Sequence, residues 1–132
     1  MYDVMDIVDV DSLESEMRNQ MTSTAAAMHR TAEANQAMVN AKDQAETEKI
    51  NALTYAYSAG HIDGKNKEAR ELGEKAYLEK NQAYQNAQKR LRKAENELAM
   101  AKADEEIAQR QMGAYHSIAT IRAAQLNYLS AR

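Results

Sequence analysis

Tyr55-Ala56-Tyr57-Ser58-Ala59-Gly60-His61-Ile62-Asp63-Gly64-Lys65-Asn66 is the stretch that reads as a break in a chain of 132 residues without proline. Gly60 suits the left-handed backbone position just past a helix end. Asp63 can accept hydrogen bonds from the free amides that open a following helix, so Asp63-Gly64-Lys65-Asn66 reads as turn and cap. Residues 12–58 and 66–112 on either side are long, alanine-rich and heptad-patterned. Two such segments about one reversal predict an all-α fold. The expected architecture is a long antiparallel helical hairpin of coiled-coil type, with helices over 12–58 and 66–112 joined by a turn over 59–65. A helical extension over 114–131 follows, and the whole is expected to be oligomeric.

The first helix is expected to open at Asp11 or Ser12, where Asp11 with Glu14 three residues on reads as a capping box before an apolar-periodic run. Leu13, Met17, Met21, Ala27, Met28, Ala34, Met38, Ala41, Ala45, Ala52 and Tyr55 then form one apolar stripe. Thr24, Thr31, Asn35 and Glu48 are expected to interrupt it and to set its register. In the second helix Tyr77, Tyr84, Leu91, Leu98, Glu105, Met112, Ala119 and Leu126 recur every seven residues. Ala87, Ala94, Ala101, Ala108, Tyr115, Arg122 and Leu129 interleave with them. Bulky residues at one seam position with alanine at the other let two antiparallel helices approach closely, and a seam sustained over several heptads argues for coiled-coil packing.

Gly113 is a soft spot that costs about 1 kcal/mol against alanine in mid-helix, enough to permit a bend but not to require one. Arms of equal length would leave residues 114–131 past the end of the first arm. That segment is the most apolar of the chain, and a monomeric hairpin would give it nothing to pack on. Tyr115, Ile118, Ile121, Leu126 and Leu129 are therefore the candidate oligomer or partner interface.

Composition narrows the function classes. Hydrophobic residues make up 44% of the chain but aromatics only 5%, all of them tyrosine, so a compact core of bulky side chains is not expected. The abundant helix formers favour long helices packed side by side. The absence of cysteine excludes disulfides, thiol catalysis and cysteine-based zinc sites. No run approaches the ~18 apolar residues of a membrane span. The acidic start lacks the basic and apolar regions of a secretory signal. A soluble protein of the cytoplasm is expected, without membrane attachment. Residues 1–16 carry six acids and no base, a balance of −6, which leaves +3 for the remaining 116 residues. Residues 1–11 alternate acids with Val4, Met5, Ile7, Val8 and Val10. They read as an extended or disordered acidic segment, or one that docks on a partner.

Catalytic and cofactor signals are missing. Only three residues separate Gly60 from Gly64, no Ser or Thr follows Lys65 and the context is helical, so the segment is not a nucleotide phosphate loop. His29, His61 and His116 fall in no Glu-x-x-His or His-x-x-x-His pair, although His29 and His116 would lie near the same end of a hairpin. Asp3, Asp6, Asp9 and Asp11 lack the glycine and closing glutamate of a calcium loop. No nucleophile sits beside a base and an orienting acid. The expectation is no enzyme, no cofactor and no metal. Lys89, Arg90, Arg92 and Lys93 form the one basic cluster, which can contact phosphates with Tyr84 nearby as a stacking surface. Glu95 and Glu97 follow at once, and Tyr84 already has a place in the seam. The methionines at 17, 21, 28 and 38 read as gap-filling core rather than an adaptable recognition strip.

The stretch 55–66, followed by Glu68 and Arg70, resembles a turn of small helical (coiled-coil) proteins encoded by bacteriophages and prophages. In those proteins an Ile-x-Gly-Lys-Asn segment with a downstream arginine joins two helices; here it is Ile62-Asp63-Gly64-Lys65-Asn66 with Arg70. The resemblance covers about sixteen residues. It implies a small phage accessory protein in the bacterial host cytoplasm and brings no catalytic residues. The expected function is a non-enzymatic, self-associating binding protein, a homo-oligomer with a protein partner, of the kind that inhibits or modulates a host nuclease or defence factor. The alternatives are a nucleic-acid-binding accessory protein of phage recombination or replication, and a structural spacer or assembly scaffold.

Overall fold

The computed structural model of the chain describes residues 10–131. Three helices follow one another: α1 over Val10–Ser58, α2 over Lys67–Lys80 and α3 over Gln82–Ser130, with no strand among the described residues. The fold is all-α. Helix α1 opens two residues earlier than the sequence suggests, and Asp11 lies in its first turn, where a carboxylate meets the unpaired amides. The rest of the acidic N-terminal segment, residues 1–9, lies outside the described residues.

The expected unbroken helix over 66–112 is corrected in one place and lengthened in another. It is interrupted at Asn81, whose backbone leaves the helical region with ψ 112°. The Asn81 side chain accepts from the Tyr84 amide at 2.9 Å, while its own amide and Gln85 Nε2 both donate to Leu78 O, at 3.2 and 2.9 Å. Asparagine competes well for such cap positions, and here it caps α3 as α2 ends. Beyond the break, α3 runs through Gly113 to Ser130 without interruption. No bend is needed there, since a Cβ at Gly113 would meet no atom within 4 Å.

The chain forms two compact units, one from Met1–Ala32 with Met100–Arg132 (unit 1) and one from Glu33–Ala99 (unit 2). In unit 2 the second half of α1 reverses through residues 59–66 and packs against α2 and the start of α3. Ala45, Ala52 and Ala56 are buried on one side, and Leu78, Ala87, Ala94 and Leu98 on the other. In unit 1 the first part of α1 lies antiparallel to the last part of α3. The order is fixed by Gln20 Nε2 and Thr24 Oγ1, which donate to Ala108 O at 3.1 and 3.4 Å, and by Thr31 Oγ1, which donates to Ala101 O at 3.2 Å.

The seam of α3 follows the expected heptads except at Met112, which is exposed. Ala87, Ala94, Leu98 and Ala108 are buried, and Tyr84, Leu91, Ala101, Glu105, Tyr115, Ala119, Arg122, Leu126 and Leu129 are half-buried. The stripe of α1 differs in its threonines. Thr24, 6% exposed, and Thr31 are seam residues rather than interruptions, because each hydroxyl reaches a carbonyl of its own turn and one of α3. Met21, Met28 and Tyr55 are exposed instead. The buried positions step by four residues twice in succession around Ala45, which moves burial from Tyr55 to Ala56. A helix of 3.6 residues per turn drifts off a strict seven-residue repeat in this way.

Candidate interaction surfaces

The turn of unit 2 is built almost wholly from backbone chemistry. His61 N donates to Ala56 O at 2.8 Å and Gly60 N to Tyr57 O at 3.2 Å, the paired bonds of a Schellman end, with Gly60 at φ 73°. Asp63 accepts from Lys65 N at 3.3 Å, so it stabilises the turn itself, and the cap of α2 is Asn66, which accepts from Ala69 N at 2.8 Å. Ile62 is 7% exposed and packs against Gly73, where a Cβ would come within 3.0 Å of Ile62 Cγ2. The aliphatic stem of Arg70 lies near Gly64. His61 stacks on Tyr77 at 6.1 Å between ring centres, with Tyr55 at 6.0 Å and tilted. Of the residues that carry the resemblance, Ile62, Gly64, Asn66 and Arg70 lie in or against the reversal, and Lys65 enters it through its backbone amide alone.

Tyr57 Oη donates to Glu74 Oε1 at 2.6 Å across this turn. That bond, helped by desolvation and the carboxylate's charge, holds the Tyr57 phenol above its ordinary pKa of 10.0. A group whose pKa rises on folding contributes fully below its unfolded value and loses that contribution as pH rises through the folded one. Alkaline titration above pH ~10 should therefore weaken unit 2, and Tyr57→Phe should remove that part of the pH dependence. Tyrosinate absorbance followed alongside circular dichroism checks both.

In unit 1, Met17, Met21 and Met28 of α1 and Met112, Tyr115 and His116 of α3 line an open groove of about 510 Å³, with Gln20, Thr24, Gln109 and Gly113. A second groove of about 440 Å³ brings Leu13, Met17 and Met21 together with Ala119, Ala123 and Leu126. This corrects in part the expectation that residues 114–131 overhang. Thr24 faces Ala108, so α1 eleven residues further out still lies beside Ala119, and residues 114–126 have described residues of α1 beside them within unit 1.

The candidate interface residues consequently fall into two sets. Tyr115, Leu126 and Leu129 are half-buried, whereas Ile118 and Ile121 are exposed. Met100 and Ile107, outside the sequence-derived set, are also exposed. Their signal in the sequence is the spacing of seven from Met100 to Ile107 and of fourteen from Ile107 to Ile121. Lys89, Arg90, Arg92 and Lys93 are all exposed on α3 within unit 2, and Lys93 Nζ lies 3.9 Å from Glu97 Oε1. Tyr84 is half-buried, and its hydroxyl accepts from Gln88 Nε2 one turn along the same helix at 2.8 Å.

His29 and His116 are both exposed; His116 lines the methionine groove and His29 does not. Among the described residues no three acids or histidines group as metal ligands, and no helix is long and apolar enough to cross a membrane. No protein-family model, curated protein or solved structure matches the chain.

Proposed function

We propose that this protein is a non-enzymatic, self-associating coiled-coil binding protein, acting through helix faces rather than through a pocket. The carrying observation is the display of Met100, Ile107, Ile118 and Ile121 on α3, bulky apolar side chains left open to water in a helix otherwise rich in charge. Grouped apolar exposure of this kind marks contact with another macromolecule. The resemblance of the turn to phage-encoded helical proteins supports an accessory role in a bacterial cytoplasm, with a host nuclease or defence factor as the protein partner. Sedimentation velocity tests the self-association: a mass above the 14.8 kDa of one chain is expected, rising with concentration. A single 14.8 kDa species throughout the micromolar range would count against it.

The exposed basic run supports a second reading, contact with nucleic acid through Lys89, Arg90, Arg92 and Lys93. Replacing all four by glutamate should abolish binding of single-stranded DNA, and the wild-type affinity should fall steeply with salt. Absence of binding at low salt removes this reading.

A further inference from the structure

Helix α3 carries two seams, and only one of them is used within unit 1. The inner seam faces α1 and has Leu91, Leu98, Met112 and Leu126 at one heptad position and Ala94, Ala101 and Ala108 at the other. On the outer face a second series steps by seven: Met100, Ile107, Ala114, Ile121 and Tyr128. Met100 is 67% exposed, Ile107 53% and Ile121 58%. Three residues after each comes Ala103, Arg110, Ser117, Ala124 and Ala131, four of the five small. The outer series thus alternates bulky with small residues, as Leu91, Ala94, Leu98 and Ala101 do on the inner seam, whose later members Glu105, Tyr115, Ala119 and Arg122 depart from that order. Its preceding steps on α3, Asn86 and Lys93, are polar, so the apolar series begins at Met100. On helix α1 the exposed Met21 and Met28 line the groove that unit 1 forms with α3, and the outer positions Ser12, Asn19 and Ala26 are small or polar. A shallow depression lined by Ile121, Ala124, Gln125 and Tyr128 already lies on this face.

We infer that the outer seam of α3 binds a second copy of itself, antiparallel, about a two-fold axis between Ala114 and Ser117. This rests on the self-association proposed above and gives it a surface and an orientation. Three features select this occupant. About that axis three of the four bulky residues, Met100, Ile107 and Tyr128, fall opposite the alanines at 131, 124 and 103 of the other copy, the self-complementarity an isologous contact requires. In that register Ile107 of one copy meets Ala124 of the other, Met100 meets Ala131, and the small Ala114 and Ser117 meet at the axis beside Gly113.

Charge then separates antiparallel from parallel pairing. A parallel pair would set Arg110 against Arg110 and the acids Glu97, Asp104 and Glu106 against themselves. The antiparallel pair lays Asp104 and Glu106 along residues 125–127, within a stretch, 111–131, whose one charged residue of the Asp, Glu, Lys and Arg types is Arg122. Arg110 is already held by Glu106 at 2.6 Å, which leaves its aliphatic stem to cover Ile121 of the other copy.

The size of the contact is also adequate. Residues 100–131 span roughly 48 Å of helix about 10 Å wide, on the order of 1,000 Å² over both copies, near the lower bound of specific interfaces. The dimer should accordingly be concentration-dependent.

The test is sedimentation of the full chain, wild type against the Ile107→Glu/Ile121→Glu double variant, with Ala26→Glu as a control on the outer face of α1. The expected result is a wild-type dimer, a monomeric double variant of unchanged helicity and a control that still dimerises. A double variant that dimerises like wild type overturns this surface while self-association stands; a wild type that never dimerises overturns both. Orientation follows from single cysteines, which the natural chain lacks. Ala114→Cys chains mixed with Ser117→Cys chains should form a disulfide-linked dimer on oxidation, since 114 faces 117 of the other copy, and Met100→Cys alone should not. The reverse pattern overturns the antiparallel arrangement.

Discussion

Ile62→Asp is expected to open the turn of unit 2 and to cost on the order of 3–5 kcal/mol, most of the stability of a marginal fold. Ile62 is almost completely buried and packs against the bare backbone of Gly73, so a carboxylate there would lose its water and gain apolar contact. Two losses combine: the transfer energy of a buried isoleucine, and the desolvation of a charge. The Schellman bonds of Gly60 and His61 would lose the packing that holds them, and with them the stacking of His61 on Tyr77. Ile62→Val, which keeps the shape and removes one methylene, should cost only about 0.5–1.5 kcal/mol. Denaturant unfolding of the two variants checks the ordering. An aspartate variant as stable as the valine one would show that Ile62 does not hold the turn.

Ala27→Leu should have the next largest effect, and it should be local to unit 1. Ala27 is 2% exposed and lies between Thr24 and Thr31, whose hydroxyls approach carbonyls of α3 at 3.4 and 3.2 Å. A hydroxyl on one helix can reach a carbonyl on the next only where the two backbones are close, and a leucine side chain has no room in that space. Overpacking of this kind costs about 1–3 kcal/mol, and each threonine hydroxyl pulled away from its α3 carbonyl adds about 0.5–1.5 kcal/mol. The helices must separate or tilt, so amide exchange should accelerate in 10–32 and 100–131 while 33–99 keeps its protection. Ala27→Ser, nearly isosteric, should leave the exchange pattern unchanged. Uniform acceleration in both units would refute the local character of the effect.

The parts of this fold legible in the sequence are those where a single local rule decides. Gly60 is readable because a left-handed residue after a helix is nearly always glycine, and its φ of 73° follows. The α3 seam is readable because Leu91, Ala94, Leu98, Ala101 and Ala108 repeat at heptad spacing, a pattern that Glu105 interrupts at one place without shifting. The break at Asn81 is not, because neither glycine nor proline marks it. An asparagine inside a helix-forming run becomes a cap only where the Leu78 carbonyl needs new donors, a choice made by packing. The threonines mislead for a related reason. Polarity suggests an interruption, yet the hydroxyl bonds back to its own turn, which hides the polar group and leaves a small side chain suited to a close seam. Of the candidate surface, Ile118 and Ile121 are legible from apolar content alone. Met100 and Ile107 require knowing which face α1 covers, since the two seams of α3 differ in exposure and not in composition.

The two units also differ in how much chain must be gathered to make them. The Tyr57–Glu74 bond joins residues 17 apart, whereas the bonds that close unit 1 join residues 70 to 88 apart. Closing the longer loops from an open chain costs about 1–2 kcal/mol more entropy, since the cost grows with the logarithm of length. Ordering should therefore start at the reversal and spread outward, with Gln20 and Ala108 among the last residues to meet and the first to part. A nascent chain would reach the turn by about residue 80, before any of α3 exists, so the slowest event left after synthesis is the zippering of its two ends.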